Sequence, residues 1–186
     1  MKPFATFIIS AVVLPAFVSY AEEKPAQKPE EKKPATTVKV TKSEDDWRKL
    51  LTDEQFRVTR KAGTERAHGE EYAKFNAQGE GTYYCVCCAS ELFTSNEKFH
   101  SGCGWPSFYD QSKAKNILEK KDTSHGMIRI EVVCKVCDAH LGHVFEGEGF
   151  KTPTDRRYCI NGVAMTFVEK GGKAPEPKGK PAEEAK

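Results

Sequence analysis

Residues 85–88 read CVCC and residues 134–137 read CKVC, which gives the chain two CxxC pairs. A CxxC turn points two thiolates at one centre, and two such turns complete a tetrahedral site of four sulfurs, for which zinc is the usual ion. Because 45 residues separate the pairs, more than in a minimal zinc ribbon, the metal would connect two distant hairpins of one fold. We therefore predict one structural zinc ion with four ligands, Cys85, Cys88, Cys134 and Cys137.

Other interpretations of these cysteines stay open on the sequence alone. The four thiols could form two disulfides in an oxidising compartment, and CxxC can be a redox motif, although no βαβ pattern surrounds either pair. A Cys2His2 site that uses His140 and His143 is rejected, because the gap between the histidines is tight and the first CxxC pair would lack partners. These histidines are better candidates for proton handling. Cys87 has the wrong spacing for a ligand and is interpreted as a spare buried thiol or a minor redox partner.

The N-terminus is typical of a secretory signal peptide. A charge at Lys2 precedes an apolar run, residues 4–18, and the small-x-small sequence Ser19-Tyr20-Ala21. The run is short for a membrane span, and the alternative is an uncleaved N-terminal anchor. We predict a signal peptide over residues 1–21 and an exported protein, periplasmic or secreted, with no stable membrane insertion after cleavage.

Composition divides the rest of the chain into one domain and two tails. Residues 22–42 and 171–186 are rich in Lys, Glu, Pro and Ala, with little to bury, which predicts a disordered linker and a disordered tail. Residues 43–170 form the predicted folded domain, which has 18 Lys+Arg and 20 Asp+Glu, whereas the whole chain has a formal charge of +2. A slightly acidic domain argues against a phosphate-binding surface, so we expect no nucleic-acid partner.

The hydrophobic pattern predicts a mainly β domain with a short helical N-terminal segment. Trp47, Leu50 and Leu51 follow helical spacing, and residues 52–55, TDEQ, form the capping box of a second helix that Gly63 ends. Strands are predicted at residues 82–86, 128–133, 143–145, 158–160 and 163–168. In the second of these, alternation of Ile128, Ile130 and Val132 with their neighbours predicts a half-buried strand.

Two cysteines lie outside the CxxC pairs. Cys103 stands between glycines in SGCGWPSF, residues 101–108, where the thiol can be exposed and can move. Cys159 follows Arg156 and Arg157, and nearby positive charge favours a thiolate. A low-pKa nucleophile and a second cysteine on a Gly-rich loop suit a two-thiol redox cycle, but a structural Cys103–Cys159 disulfide explains the sequence equally well.

Six stretches of the chain resemble, in order, the B-type methionine sulfoxide reductases, which reduce the R epimer of methionine sulfoxide in proteins. They are WRKLLTDEQFRVTRKAGTE (47–65), CVCCASELF (85–93), SGCGWPSF (101–108), SHGM (124–127), CKVCDAHLGHVFEG (134–147) and RRYCIN (156–161). Each stretch is weak alone, but the set is specific and spans about residues 44–168.

The resemblance implies a fold of two small antiparallel sheets and a role for each matching residue. Cys159 matches the nucleophile and Cys103 the resolving cysteine, while the two CxxC pairs match the zinc ligands. Trp105 matches the ring that packs against the substrate methyl group. Further polar active-site positions are matched by His140, His143, Arg157 and Asn161.

The implied chemistry is thiol-dependent reduction of oxidised proteins. A thiolate attacks the sulfoxide sulfur while a histidine, for which we favour His143, supplies a proton to the oxygen. His140 and Asn161 would help to hold a water molecule. Methionine leaves, Cys159 becomes a sulfenic acid, and Cys103 converts it to a disulfide that a thioredoxin-like reductant resets. We expect a monomer whose only cofactor is the zinc ion.

Some positions depart from the family pattern. The family often has an acid and then Gly-Pro soon after its GHVF, whereas residues 146–149 here read EGEG, so Glu146 and Glu148 are both candidates for that acid. Gly162 replaces a common Ser, and Asn161-Gly162 could be a tight hairpin turn. His68 is expected to be a surface residue without a role. Two rival functions are a non-catalytic zinc-clipped binding module with a structural disulfide, and a general thiol–disulfide oxidoreductase or peroxidase.

Overall fold

The computed structural model describes residues 39–178, and within them the chain forms three helices and eight strands. The strands make two antiparallel sheets, which confirms the predicted mainly β class. The predicted signal peptide, residues 22–38 of the predicted linker and the last eight residues of the tail lie outside the described residues. Val40, within the predicted linker, is buried, and its N–H donates to the carbonyl oxygen of Val136, so the packed chain extends at least to this residue.

The helices precede all the strands: α1 spans Glu44–Leu50, α2 spans Asp53–Lys61 and α3 spans Glu70–Ala77. The capping box of α2 is present, because the Thr52 hydroxyl accepts from the backbone of Gln55 while the Gln55 side chain accepts from the backbone of Thr52. Helix α2 ends at a left-handed Ala62, one residue before the predicted Gly63. Helix α3 was not predicted from the sequence; it begins at Gly69 without a side-chain cap.

The smaller sheet has the strand order β2-β1-β8, and the larger has the order β3-β7-β6-β5-β4. Strand bounds are β1 Gly81–Cys85, β2 Glu91–Thr94, β3 Ser107–Phe108, β4 Ile117–Asp122, β5 Arg129–Cys134, β6 His140–Glu146, β7 Arg156–Ile160 and β8 Met165–Glu169. Short 3-10 turns occupy Ser124–Gly126 and Gly162–Ala164. The second turn connects β7 with β8, which belong to different sheets, so the alternative of a hairpin turn at Asn161-Gly162 is wrong.

Strand β5 is present, but its predicted buried face is wrong at one end. Val132 is fully buried, whereas Ile130 is 37% exposed and Ile128, just before the strand, is 80% exposed. The alternation is real, yet the first part of the strand extends beyond the core that it was expected to cover. Leu50 of α1 is likewise exposed, while its neighbour Leu51 is buried.

Aromatic side chains fill the space between the two sheets. Phe93 of β2 stacks on Phe108 of β3 with ring centroids 4.1 Å apart, and Tyr83 and Tyr158 meet the same pair edge-on. Burial of large aromatic surfaces is a main contribution to folding free energy. Among residues 39–178, none of the helices has both the length and the hydropathy that a membrane crossing requires.

The opposite face of the larger sheet carries polar side chains in register. Across β3, β7, β6 and β5, Ser107 pairs with Cys159, Cys159 with His143, and His143 with Glu131. Cross-strand partners lie on the same face of a sheet. The strand register therefore brings residues 52 positions apart in sequence, from 107 to 159, to one surface.

Candidate active site and metal centre

The two cysteines outside the CxxC pairs meet at the edge of the larger sheet. The Sγ atoms of Cys103 and Cys159 are 3.8 Å apart, and both side chains are partly exposed. Ser101 Oγ is 3.0 Å from Cys103 Sγ and 2.7 Å from Ser107 Oγ. Two thiols at this separation can form a disulfide after a small movement, since a disulfide needs a sulfur separation of about 2.05 Å.

The two thiols affect each other's ionisation. Hydrogen bonding to the Cys159 thiol, together with the hydroxyls of Ser101 and Ser107, lowers the pKa of Cys103 to about 4. The same bond, and then burial, raises the pKa of Cys159, while Arg157 acts in the opposite direction. The pKa of Cys103 is thus the lower of the two, whereas the sequence favoured a thiolate at Cys159. The two neighbouring arginines have different partners: Arg157 contacts Cys159, whereas Arg156 bonds Glu119 and Tyr158.

Cys159 opens into a small pocket of about 160 Å³, here named the thiol cavity. The indole of Trp105 forms part of its wall and is fixed by a 3.2 Å hydrogen bond from Nε1 to the carbonyl oxygen of Glu65. Apolar surface predominates in the lining, to which Phe145 also contributes. The remaining lining residues are Thr64, Arg129, Gly142, His143 and Asn161. A small apolar group bonded to sulfur would fit between the ring and the thiol.

His143 lies next to Cys159 on the neighbouring strand and is held by an acid. Its Nε2 donates to Oδ2 of Asp122 at 2.8 Å, and the same oxygen accepts from Nη2 of Arg129 at 2.7 Å. Hydrogen bonds from Ser124 are the first cause that lowers the pKa of Asp122, so this carboxylate stays ionised. His143 is therefore oriented by a fixed negative charge.

His140 is buried on the same strand. Its Nδ1 bonds Oε1 of Glu131 at 2.7 Å, and burial lowers the pKa of the imidazole. A neutral ring that donates from Nδ1 presents an acceptor at Nε2, and this atom has no hydrogen-bond partner among the described residues. The two histidine rings lie 5.5 Å apart.

Arg157 is buried and takes Glu148 as its partner. Two 2.7 Å bonds join its Nε and Nη2 to the two carboxylate oxygens, and its guanidinium lies over the Phe145 ring. Glu146 instead bonds Arg156 at 2.8 Å. The acid that follows the GHVF sequence and faces this site is therefore Glu148.

Asn161 connects the site to a buried loop. Its Oδ1 accepts from the backbone of Glu65 at 2.9 Å, and its Nδ2 donates to the carbonyl oxygen of Leu141 at 2.9 Å. The Glu65 carboxylate in turn accepts from the backbone N–H groups of Gly162 and Val163. Burial raises the pKa of Glu65. Asn161 is thus engaged with the main chain and fixes the segment that follows Cys159.

The four cysteines of the CxxC pairs meet at a single point. Their sulfurs all lie within 4.8 Å of one another, with Cys85–Cys137 at 3.7 Å and Cys88–Cys134 at 3.6 Å. A tetrahedron with Zn–S bonds of about 2.3 Å has sulfurs about 3.8 Å apart, so this donor set fits zinc. All seven cysteines are free thiols, and Cys87 is fully buried beside Thr59, outside this group.

The two CxxC turns have matching backbone geometry. Each is followed by a left-handed residue, Ala89 and Asp138, whose N–H donates to the carbonyl oxygen of the first cysteine. Cys85 ends β1 of the smaller sheet and Cys134 ends β5 of the larger one. A bound metal would therefore join the two sheets directly.

Several residues at this site were missed by the sequence reasoning. His68 is exposed, as predicted; it packs edge-on against Tyr72, and its N–H donates to the carbonyl oxygen of Gly104, next to Cys103. The acids Asp122 and Glu131, together with Arg129, were not identified as site residues because they lie on strands two or three positions across the sheet. Glu65 is the last residue of the family-like stretch 47–65, and Asp122 lies just before the family-like stretch 124–127. These positions are the only sequence signal for Glu65 and Asp122.

The mainly β domain thus places two facing thiols beside an apolar pocket and two histidines bonded to acids, which are the groups that a thiol-dependent reduction needs. The SelR domain family matches residues 51–169. Curated proteins named peptide methionine sulfoxide reductase MsrB are 50% identical over 131 residues in Synechococcus sp. (strain RCC307) and 52% identical over 129 residues in Chromohalobacter salexigens. These alignments cover 70% and 69% of this chain, and 93% and 95% of the relatives. The chain belongs to the SelR-domain family and is a methionine sulfoxide reductase of the MsrB type.

Proposed function

We propose that the enzyme reduces the R epimer of methionine sulfoxide in peptides and proteins, with Cys159 as nucleophile and Cys103 as resolving cysteine. The observation that carries this proposal is the 3.8 Å separation of the two sulfurs at the mouth of an apolar pocket. Trp105 supplies the flat apolar wall against which the substrate methyl group packs. The methyl group, the oxygen and the longer chain of a sulfoxide then take different positions, which is how a chiral sulfur is selected.

In the first step the thiolate of Cys159 attacks the sulfoxide sulfur. The proton of the Cys159 thiol passes to Cys103, whose sulfur lies 3.8 Å away. His143 donates a proton to the sulfoxide oxygen, since a sulfoxide is a poor electrophile until its oxygen is protonated. The sulfur–oxygen bond breaks, the hydroxyl is transferred to Cys159, and methionine leaves, so that the products are methionine and a Cys159 sulfenic acid.

A water molecule beside the histidines completes the polar side of the site. The unpartnered Nε2 of His140 accepts one of its hydrogens. Asn161 acts mainly through the backbone, because its oxygen and one amide hydrogen are engaged with Glu65 and Leu141. Arg157 is paired with Glu148 and also lowers the pKa of Cys159, so it stabilises the negative charge that forms on that sulfur.

In the second step Cys103 attacks the sulfur of the Cys159 sulfenic acid, water leaves, and a disulfide forms. Gly102 and Gly104 on either side of Cys103 have positive φ angles of 75° and 92°, and such backbone permits the small approach that bond formation needs. An external dithiol of thioredoxin type then reduces the disulfide and restores both thiols.

The zinc ion has a structural role in this proposal. Cys85, Cys88, Cys134 and Cys137 would hold it, and it supplies a redox-inert link between the two sheets. The physiological task is repair of oxidised proteins by an exported monomer. Export rests on the N-terminal sequence, with its charge, apolar run and cleavage site.

The test is turnover of an N-blocked methionine-R-sulfoxide and its S epimer with excess dithiothreitol. We expect loss of the R epimer alone, and no loss with Cys159→Ser. With thioredoxin as the reductant, Cys103→Ser should stop after one turnover. Reduction of both epimers at similar rates would contradict the selectivity, and activity in Cys159→Ser would contradict the nucleophile.

A further inference from the structure

A second pocket, larger than the thiol cavity, adjoins it and has no assigned ligand. This polar cavity has a volume of about 680 Å³, against about 160 Å³ for the thiol cavity. The two share three lining residues, Thr64, Arg129 and His143. The thiol cavity has room for one side chain, so the rest of a peptide substrate must lie outside it. The polar cavity is the adjoining space with hydrogen-bonding walls.

Arg129 stands where the two cavities meet and is fixed in place. Its Nη2 is 2.7 Å from Oδ2 of Asp122 and 3.3 Å from the hydroxyl of Ser124. Its Nε is buried and has no hydrogen-bond partner among residues 39–178. Buried donors without partners are uncommon in folded proteins, because each one loses its hydrogen bonds to water without replacement. The described residues thus supply no acceptor for this N–H, and the adjacent space that could hold one is the cleft that Arg129 lines.

We propose that the polar cavity binds the main chain next to the methionine sulfoxide, and that Nε of Arg129 donates to a carbonyl oxygen of that main chain. The ligand class is a polypeptide segment, recognised by its backbone. A carbonyl oxygen is a strong acceptor, and a charged donor gives a stronger bond than a neutral one. The inference rests on the proposed function and adds to it a residue that favours peptides over small sulfoxides.

The test compares two substrates in the full chain. One is N-acetyl-methionine-R-sulfoxide methylamide, which carries a carbonyl group on each side of the residue. The other is methyl propyl sulfoxide, which has the reacting group without a main chain. Arg129→Lys keeps a cation beside Asp122 but removes the Nε–H, and Arg129→Met removes both. The matched control is Arg156→Lys, because Arg156 bonds Glu119 on the opposite face of the sheet.

The expected result is a fall of about tenfold or more in the ratio of kcat/KM for the blocked peptide to kcat/KM for the small sulfoxide. Both Arg129 variants should show it, mainly as a higher KM, and Arg156→Lys should not. An equal fall for both substrates would overturn the proposal, because Arg129 would then act only through Asp122 and His143. An unchanged ratio would overturn it as well. Failure of the proposed function is distinct, since the wild-type protein would then lack Cys159-dependent reduction of either sulfoxide.

Discussion

His143 and Asp122 are joined by a 2.8 Å hydrogen bond that crosses from β6 to the end of β4. The residues are 21 positions apart in sequence, and β5 lies between their strands. Because Nε2 of the imidazole is directed at a carboxylate, Nδ1 is the nitrogen left to meet a substrate. Arg129 binds the same carboxylate oxygen, so the acid is itself fixed.

Replacing Asp122 with Asn should slow sulfoxide reduction by at least about tenfold, with a smaller change in KM. The amide removes the negative charge that holds the imidazole of His143 in place, so the ring is less often positioned to donate its proton. We expect this loss in the rate constant of a single turnover. Asp110→Asn is the control, since Asp110 is a partly exposed acid near Lys115. A single-turnover rate equal to that of the wild type would show that Asp122 does not act through His143.

Replacing Glu148 with Gln should destabilise the domain more than replacing Glu146. Arg157 is about nine-tenths buried and loses both charged bonds in Glu148→Gln, which we expect to cost about 1–3 kcal/mol of unfolding free energy. In Glu146→Gln, Arg156 keeps Glu119, and the 58% exposed Glu146 should contribute under about 1 kcal/mol. Urea unfolding of the two variants gives the comparison. Equal losses would mean that the Glu148 pair is as weak as a surface pair.

The cysteine chemistry could be read from the sequence because it depends on local spacing. Two CxxC turns define two ligands each without knowledge of the fold, and the capping box at Thr52 likewise acts over three residues. The residues alone left open whether Cys103 and Cys159 are a redox pair or a structural disulfide, and the resemblance decided for the redox pair.

The acids of the site could not be read in this way, because strand register places them. Glu131 faces His143 only because β5 pairs with β6, and β4 brings Asp122 from one strand further out. Register also decided where the core ends: Ile128 and Ile130 continue the alternation of a half-buried strand, yet they remain 80% and 37% exposed. Helix α3 was missed because Gly69 offers no capping side chain and its neighbours show no strong periodic pattern.

Replacing Cys103 with Ser should let Cys159 ionise at lower pH. In the wild-type protein the bond to Cys103 is the first cause that raises the pKa of Cys159, while Arg157 lowers it. Removing Cys103 leaves the effect of Arg157 opposed only by burial, so the pKa of Cys159 must fall. The measurement is the rate of alkylation of Cys159 by iodoacetamide against pH, read by peptide mass spectrometry. If the alkylation profile of Cys103→Ser moved to higher pH, Cys103 would not be the group that raises the pKa of Cys159.

Removing a zinc ligand should loosen the junction between the two sheets. Cys134 ends β5 and Cys85 ends β1, so a metal bound by both pairs connects elements that are otherwise held mainly by aromatic packing. Structural zinc sites contribute several kcal/mol or more to folding, so Cys134→Ser should lower Tm by more than about 10 °C. The wild-type protein should contain one zinc ion per chain by atomic absorption, and the variant much less.

The control for this experiment is Cys87→Ala. Cys87 is as deeply buried as Cys134 and lies within the first CxxC turn, but its sulfur is outside the group of four. Its replacement should keep the zinc content at one ion and change Tm by less than Cys134→Ser does. A loss of zinc in Cys87→Ala equal to that in Cys134→Ser would show that the four proposed ligands are not the correct set. A wild-type protein that contains no zinc and has the four thiols paired as disulfides would contradict the metal site. In that case disulfides, not a metal, would link the two sheets.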